Sequence, residues 1–349
     1  MITTIDPVID KRWDAFITNH PESNIFHHSA WARVVSDIYG GHPAYYVLEN
    51  ERGEITAAAP FYWIKSPLTG KRLVCLPQSE SCFPLAYCED DLRELLNKVR
   101  EEVDAERHSY LEVRGWGKTG APNQFGLKEY PYFLTHIIDL DGGPAGVRSR
   151  MDRNGRYNLR YAEKSPVTVR TGLNEGDLKE FYRLTTATRI RVNLLPQPYR
   201  FFQSIYRNLI IPGYGYLLLA ELSGKVIAAN IYFCFKDTFV HEFAAQDKDY
   251  FEYRPNYSLI WKALELACQD SYRYYNFGRT QPENQPLATF KKHWGSEETT
   301  LPYYYYPAVR GLSSVSKSSL IYRAYTSINR HLPGFLLRLA GEVVHRHMG

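Results

Sequence analysis

The chain has 349 residues, 44% of them hydrophobic, a formal net charge of +4 and 28 tyrosines, which is material for two packed cores. No apolar run approaches the roughly 20 residues of a membrane span, and the N-terminus MITTIDPVIDKRWDAF lacks the basic and apolar regions of a signal peptide, so a cytoplasmic protein is expected. Five unevenly spaced cysteines (Cys75, Cys82, Cys88, Cys234, Cys268), without a C-x-x-C or a histidine at ligand spacing, exclude a zinc motif and predict buried thiols and no metal.

In chain order, SAWARVVSDIYG opens as a helix, and YYVLENERGEITAAAPFYW (Tyr45 to Trp63) reads as two strands around a tight turn. The helix DDLRELLNKVREEVDA and the strand SYLEVRGW follow. The turn-rich Gly142-Gly143-Pro144 breaks the chain. Next comes VRSRMDRNGRYNLRYAEKSP, in which Arg153, Arg156, Arg160 and Lys164 lie on one face of a helix that Ser165-Pro166 ends, although Gly155 weakens it. Four cations on one stripe either face solvent or hold an anion, and arginine at three of the positions favours phosphate or diphosphate.

A second hairpin, YLLLAELSGKVIAANIYFC, matches the first without a gap: Tyr216 aligns with Tyr45, Gly224 with Gly53 and Ala228-Ala229 with Ala57-Ala58. The helix PNYSLIWKALELACQD and the strand RYYNFGRT then repeat the earlier helix and strand. The expected fold is α+β: a duplicated mixed β-sheet flanked by helices, with domains at 1–145 and 146–308. Residues 309–349 carry six Lys or Arg against Glu342 alone, with Phe335, Leu336, Leu339 and Val343 at helical spacing. They predict a basic amphipathic tail suited to an anionic membrane surface or RNA phosphates. Between the last repeated strand and this tail, NFGRTQPENQPLATFKKHWG sets Arg279 and Lys291 in an apparent loop with only Glu283 between them.

The repeated domain, and the order of HHSAWARVV, GEITAAAPFYWIKSPLTGKRL, RYNLRYAEK, DLKEFYRLTTATRIR, GKVIAANIYFCF, RPNYSLIWKALELA, YYNFGRT and FKKHWG, resemble the FemAB proteins. These are peptidyl transferases of the GNAT acyltransferase superfamily, and the subgroup encoded with exopolysaccharide and protein-sorting systems is the most similar. The resemblance runs from about Trp13 to Tyr306 and implies two tandem GNAT-like domains. It also implies transfer of an aminoacyl or acyl group onto an amine of a peptidoglycan or exopolysaccharide precursor, with no bound cofactor. By that resemblance Phe290-Lys291 is the Phe-Lys pair, Lys291 holding the oxyanion or the leaving 3′-hydroxyl or thiol while Phe290 excludes water. Arg279 is expected to hold a phosphate, and one of Arg153, Arg156 and Arg160 to be the family's phosphate-binding arginine. Trp31, Arg33 and Asn256 complete the expected substrate-binding set. The first-helix lysine of cell-wall members is missing, Arg33 being the basic residue there, so a nucleotide-linked muropeptide is disfavoured as acceptor.

For a general base, FVHEFAAQD supplies Glu242 and Asp247; regular alternation would set Glu242 opposite His241. QDKDYFEYRPNYSLI contains no glycine, whereas acyl-CoA enzymes of the superfamily cradle pyrophosphate on a glycine-rich turn. The expected donor is therefore aminoacyl-tRNA, with acyl-CoA as the alternative, and the expected partners are an envelope or polysaccharide precursor, lipid-linked or free, tRNA and the membrane surface. The competing class is a catalytically degenerate GNAT-fold binding module in envelope assembly.

Overall fold

The computed structural model describes residues 1–39, 42–66, 70–107 and 109–307, together with Leu337 and Gly341. The tail expected at 309–349 otherwise lies outside the described residues. Among the described residues two compact units are present: Met1–Tyr132 completed by residues 301–307, and Phe133–Thr300. Both divisions fall inside strands, upstream of the Gly142-Gly143-Pro144 turn in the one case.

In the first unit, β1 (Ile2–Ile5), α1 (Lys11–Asn19) and α2 (Ser29–Tyr39) precede a hairpin of β2 (Pro43–Glu49) and β3 (Ile55–Ser66). Then come β4 (Gly70–Cys75), a short β5 (Leu85–Ala86), α3 (Glu89–Ala105) and β6 (Leu111–Arg114). The second unit begins within β7 (Lys128–Asp139) and continues through α4 (Gly143–Arg150), α5 (Arg153–Lys164), β8 (Thr168–Thr171), α6 (Glu175–Arg191) and α7 (Tyr199–Ile205). Its hairpin is β9 (Gly215–Leu222) and β10 (Lys225–Phe235), followed by β11 (Thr238–Gln246), α8 (Pro255–Gln269), β12 (Tyr274–Asn276) and α9 (Gln285–Lys292). The last strand is β13 (Glu297–Tyr306).

The strand orders are the same. The first unit runs β1-β2-β3-β4-β6 and the second β8-β9-β10-β11-β12; in each the last pair is parallel and the others are antiparallel. The duplication extends to an irregularity. Ladder pairing passes from Ile55 to Ala57 in one hairpin and from Val226 to Ala228 in the other, so the skipped residues, Thr56 and Ile227, are matched positions of the repeat. The turns differ. Leu222 pairs with Lys225 around Ser223-Gly224, both at positive φ, as a two-residue type I′ turn requires, whereas the first copy spans Asn50 to Glu54.

Each sheet gains one further antiparallel strand from a distant part of the chain. The end of β13 pairs with β6, Tyr303 opposite Arg114 and Tyr305 opposite Glu112. The end of β7 pairs with β12, Ile138 opposite Tyr275. The core of the second unit packs α5 and α8 on the sheet around Leu159, Leu218, Ala228, Phe239, Leu264, Tyr275 and Trp294. Among the described residues no helix is long and apolar enough to cross a membrane, and no cluster of His, Cys, Asp and Glu suits a metal ion.

Candidate active site

The site is built where β10, β11 and β12 meet α9, all in the second unit. Pairing between β10 and β11 passes from Ile231–Phe243 to Tyr232–His241, leaving Glu242 as the extra residue of a β-bulge. The bulge separates its neighbours: His241 packs on Tyr232, ring centroids 4.7 Å apart, while Phe243 packs on Phe201 and Phe202. In a regular strand residues 241 and 243 would share a face. The expected alternation of Glu242 with His241 therefore does not hold at this point, because the extra residue shifts the ladder. Asp247 is engaged elsewhere: it caps the turn at Lys248–Tyr253 and pairs with Lys225 at 3.4 Å.

After β12 the chain turns at Gly278, φ 72°, and Asn276 steadies the turn by accepting from the Gly278 N–H at 2.8 Å. The segment Gln285–Lys292 is a helix, not the expected loop. Pro286 is tolerated in its first turn, where a backbone N–H has no helical partner, and Ala288 and Lys291, three apart, form its buried face. Lys291 is only 5% exposed. Its ammonium donates to the carbonyl of Gly278 at 2.7 Å and to that of Arg279 at 3.4 Å. Lys292 points outward and pairs with Glu298 at 3.0 Å. Of the two adjacent lysines, the sequence position of the Phe-Lys pair selects the buried one.

A buried cation changes its neighbours. Burial and, second to it, the Lys291 charge bring the His241 imidazole down to about 3. The same two causes lower His136, whose Nε2 lies 3.0 Å from Glu298, a carboxylate that pulls the other way. Both rings are thus held neutral beside a fixed positive charge. Phe290 stands edge-on to Tyr257 at 5.4 Å, and Tyr257 stacks on Trp294 at 5.1 Å, so an aromatic wall adjoins the lysine. The Arg279 guanidinium lies over the Phe133 ring at 4.9 Å. Lys291 and Phe290 on α9, Arg279 in the segment after β12 and Glu242 on β11 all belong to the second unit.

The expected substrate-binding residues are more scattered. Helix α5 starts and stops where its sequence implies, with Asp152 as N-cap accepting from the Gly155 N–H at 2.7 Å. Gly155 reports a close approach: a Cβ there would stand 2.1 Å from the His293 carbonyl oxygen. Arg156 turns back to the carbonyls of Met151 and Ser149, closing the end of α4. Arg153 and Arg160 are exposed and make no ion pair among the described residues. Asn256 sits in the first turn of α8, its side-chain oxygen buried without a partner. Trp31 and Arg33 belong to the first unit. The Trp31 ring has no exposed surface and packs edge-on to Phe26, the place of a core residue, which removes it from a substrate-contacting set; Arg33 is exposed.

Sequence reasoning missed His136, Glu298, Tyr232, Tyr275 and Asn230. Asn230 did leave a signal, as the one amide in the apolar strand KVIAANIYFCF; a polar group in a buried strand requires a partner. His136 and Glu298 left none, since their contact spans |i−j| = 162.

Comparison with known proteins gives a consistent picture. Residues 149–292 match the family model for an acetyltransferase (GNAT) domain. A lipid II:glycine glycyltransferase of Staphylococcus haemolyticus is 23% identical over 243 residues, 64% of this chain and 57% of that protein; the chain spans little more than half the length of that relative. The crystal structure of FemX superposes with a TM-score of 0.71 at 18% identity, covering 87% of this chain and 96% of the other. L-PGS from Bacillus licheniformis gives 0.55 at 13% identity, with 94% and 97% covered. At these identities the two structures establish the fold that this chain shares with them.

Proposed function

We propose that this chain, which carries a GNAT acetyltransferase domain match and shares its fold with FemX, is a FemAB-type protein that transfers an aminoacyl or acyl group onto an amine of a cell-envelope precursor. The observation that carries the reading is the buried Lys291 ammonium, fixed on two backbone carbonyls at the end of a central strand. When an amine attacks an ester or thioester, a C–N bond forms, negative charge gathers on the carbonyl oxygen, and the C–O or C–S bond then breaks. A cation held in place before the reaction stabilises that charge without reorganising. Lys291 supplies it, and Phe290 with Tyr257 and Trp294 keeps water from competing with the amine. Arg279, whose backbone carbonyl accepts from the Lys291 ammonium at 3.4 Å, holds a phosphate of a substrate. An imidazole at about 3 is a poor proton acceptor at neutral pH, so His241 is not the base; Glu242 is the carboxylate that the same strand offers.

The acceptor we favour is a lipid-linked peptidoglycan precursor, in keeping with the glycyltransferase relative named for lipid II. An exopolysaccharide amine is the alternative. For the donor, the α8 N-terminus begins with Pro255, which has no N–H, after Arg254 in a left-handed conformation, its Nε donating to Asn158 at 3.0 Å. That supports a donor other than one cradled by pyrophosphate on this helix, and aminoacyl-tRNA is favoured over acyl-CoA. Purified protein titrated with aminoacyl-tRNA and, separately, with acetyl- and longer acyl-CoA, at two salt concentrations, decides. Saturable, salt-sensitive tRNA binding that weakens in Arg279→Ala supports the reading. Tight CoA binding assigns the acyl-CoA alternative, and binding of neither assigns a non-catalytic module.

A further inference from the structure

We propose that His136 is the general base of the acyl transfer: an imidazole held by Glu298 as its Nε2–H tautomer, with the Nδ1 lone pair left to receive the proton of the attacking amine. The base role rests on the acyl-transfer reading above, whereas the tautomer rests on the His136–Glu298 contact.

Nε2 of His136 lies 3.0 Å from a carboxylate oxygen of Glu298, and both residues belong to the second unit. Lys292 pairs with the same side chain at 3.0 Å and is the main reason that the Glu298 carboxyl stays below its ordinary range, so Glu298 is ionised at neutral pH. A carboxylate in that state only accepts, and the shared proton is therefore on Nε2. Nδ1 of the neutral ring is then a bare lone pair. It is enclosed in a residue with no exposed surface and has no partner among the described residues. Buried polar atoms are nearly always satisfied, and one that is not calls for an occupant.

Hydrogen bonds tie His136 to the Lys291 site from two directions. Along the backbone, the His136 carbonyl accepts from the Phe277 N–H at 2.9 Å, and the next residue, Gly278, presents its carbonyl to the Lys291 ammonium at 2.7 Å. Through side chains, Glu298 joins His136 to Lys292, the neighbour of Lys291 on α9. Pairing of β12 with β7 runs to Asn276–Ile137 and resumes at Thr280–Leu134, so the chain through Gly278-Arg279 holds one residue more than the strand opposite. Thr280, opposite Leu134, shares the face of His136, and its hydroxyl is also enclosed without a partner among the described residues. Nδ1 is satisfied only by a donor, which a carbonyl or phosphate oxygen is not. The cation at Lys291 disfavours an ammonium there. A neutral amine, the form that attacks, fits both Nδ1 and the hydroxyl.

As the C–N bond forms, the carbonyl π electrons move to the oxygen beside Lys291 and the amine proton moves to Nδ1, giving an imidazolium that the Glu298 carboxylate stabilises. When the C–O or C–S bond breaks, Nδ1 returns the proton to the leaving oxygen or sulfur and the neutral ring is restored. Burial first, then Lys291 and Lys292, hold the ring neutral before the reaction, with Glu298 opposing them, so the base is free at neutral pH. Glu298 acts as a positioning residue, through the tautomer it selects.

The test has a spectroscopic and a kinetic arm. In the full-length protein with 15N-labelled histidine, His136 is assigned by the loss of its signals in His136→Gln or their shift in Glu298→Gln, and its ring nitrogens are read by NMR at neutral pH. A protonated Nε2 and an unprotonated Nδ1 are expected; a proton on Nδ1 in the wild type overturns the proposal, whether or not the protein turns over a donor. In the kinetic arm, transfer from aminoacyl-tRNA or acyl-CoA to lipid II is followed as pH is raised. His136→Gln is expected to lower kcat about 100- to 10,000-fold at neutral pH, with the deficit narrowing as hydroxide replaces the lost base. A deficit that does not change with pH, in a variant that keeps a cooperative melt, overturns the base role. Glu298→Gln is expected to lose less activity and to move the acidic limb of kcat/KM to lower pH, because of the charges acting on the ring (Lys291, Lys292 and Glu298) only Glu298 raises it. If His136→Gln fails to fold, an acidic limb unmoved in Glu298→Gln overturns the base role instead. If the wild type transfers from neither donor, the acyl-transfer reading fails, and the base role with it, while the tautomer stands or falls on the spectrum.

Discussion

Replacing Lys291 with methionine keeps the apolar stem but leaves the carbonyls of Gly278 and Arg279 without their donor. We expect Lys291→Met to lower turnover about 100- to 1000-fold and to destabilise the fold by about 1–3 kcal/mol, the penalty of buried groups left unpaired. A role confined to structure would move the melt and spare kcat. An independent readout is available, because burial first and the Lys291 charge second hold the His136 ring down. In Lys291→Met the His136 resonance should titrate at higher pH, and an unchanged titration would count against the electrostatic picture. His241 also makes stability depend on pH. Its folded value of about 3 lies below the ordinary 6.5, so below the latter the unfolded chain binds a proton that the folded one does not. Stability from this residue is fully present above pH ~6.5 and falls by about 1.4 kcal/mol per pH unit down to pH ~3. Denaturant titrations across that window should show a slope smaller by about one proton in His241→Gln; an unaltered slope would refute the assignment.

At the scale of elements, the hairpins and the α3–β6 and α8–β12 pairs were legible because their signals are local: gapless repetition, turn residues and helical spacing. Helix α9 was not. Pro282, Asn284 and Pro286 read as loop formers, yet a proline in the first helical turn gives up no hydrogen bond, and what makes this segment helical is burial of Ala288 and Lys291 against the strand end. The bulge at Glu242 was equally hidden, since no residue type demands an extra position and the shift emerges only from pairing with β10. Gly155 counts against α5 on propensity, but packing reverses its meaning: the residue is small because the His293 carbonyl is against it. Gly155→Ala improves helix propensity and should still destabilise the protein, by on the order of 3 kcal/mol from overpacking. An increased melting temperature would show that α5 and α9 separate more readily than the geometry implies.

For the whole molecule, duplication and fold class could be read from the sequence, whereas the partner of β13 could not, because its pairing with β6 depends on residues far apart in the chain. Tyr303 and Tyr305 are 2% and 0% exposed, and Arg114 and Glu112, opposite them on β6, form a buried ion pair at 2.8 Å. Residues 1–132 alone lack that cover. We expect the fragment to aggregate or to lack a cooperative melt, and the same fragment carrying residues 297–307 on a flexible linker to regain one. A cooperative transition in the bare fragment would show that β13 is dispensable to the first unit.

That late strand also sets a clock. Ribosomes add about 5–20 residues per second, so once Arg114 has been joined, about 10 to 40 s pass before Tyr306 exists to cover it. Throughout that interval the nascent first unit has an open sheet edge beside a charged pair not yet sealed from water, while the second unit is being made and folded. An edge in that state recruits other strands. Yield in the cell should therefore depend on chaperone supply and translation speed more steeply than the stability of the finished protein would suggest.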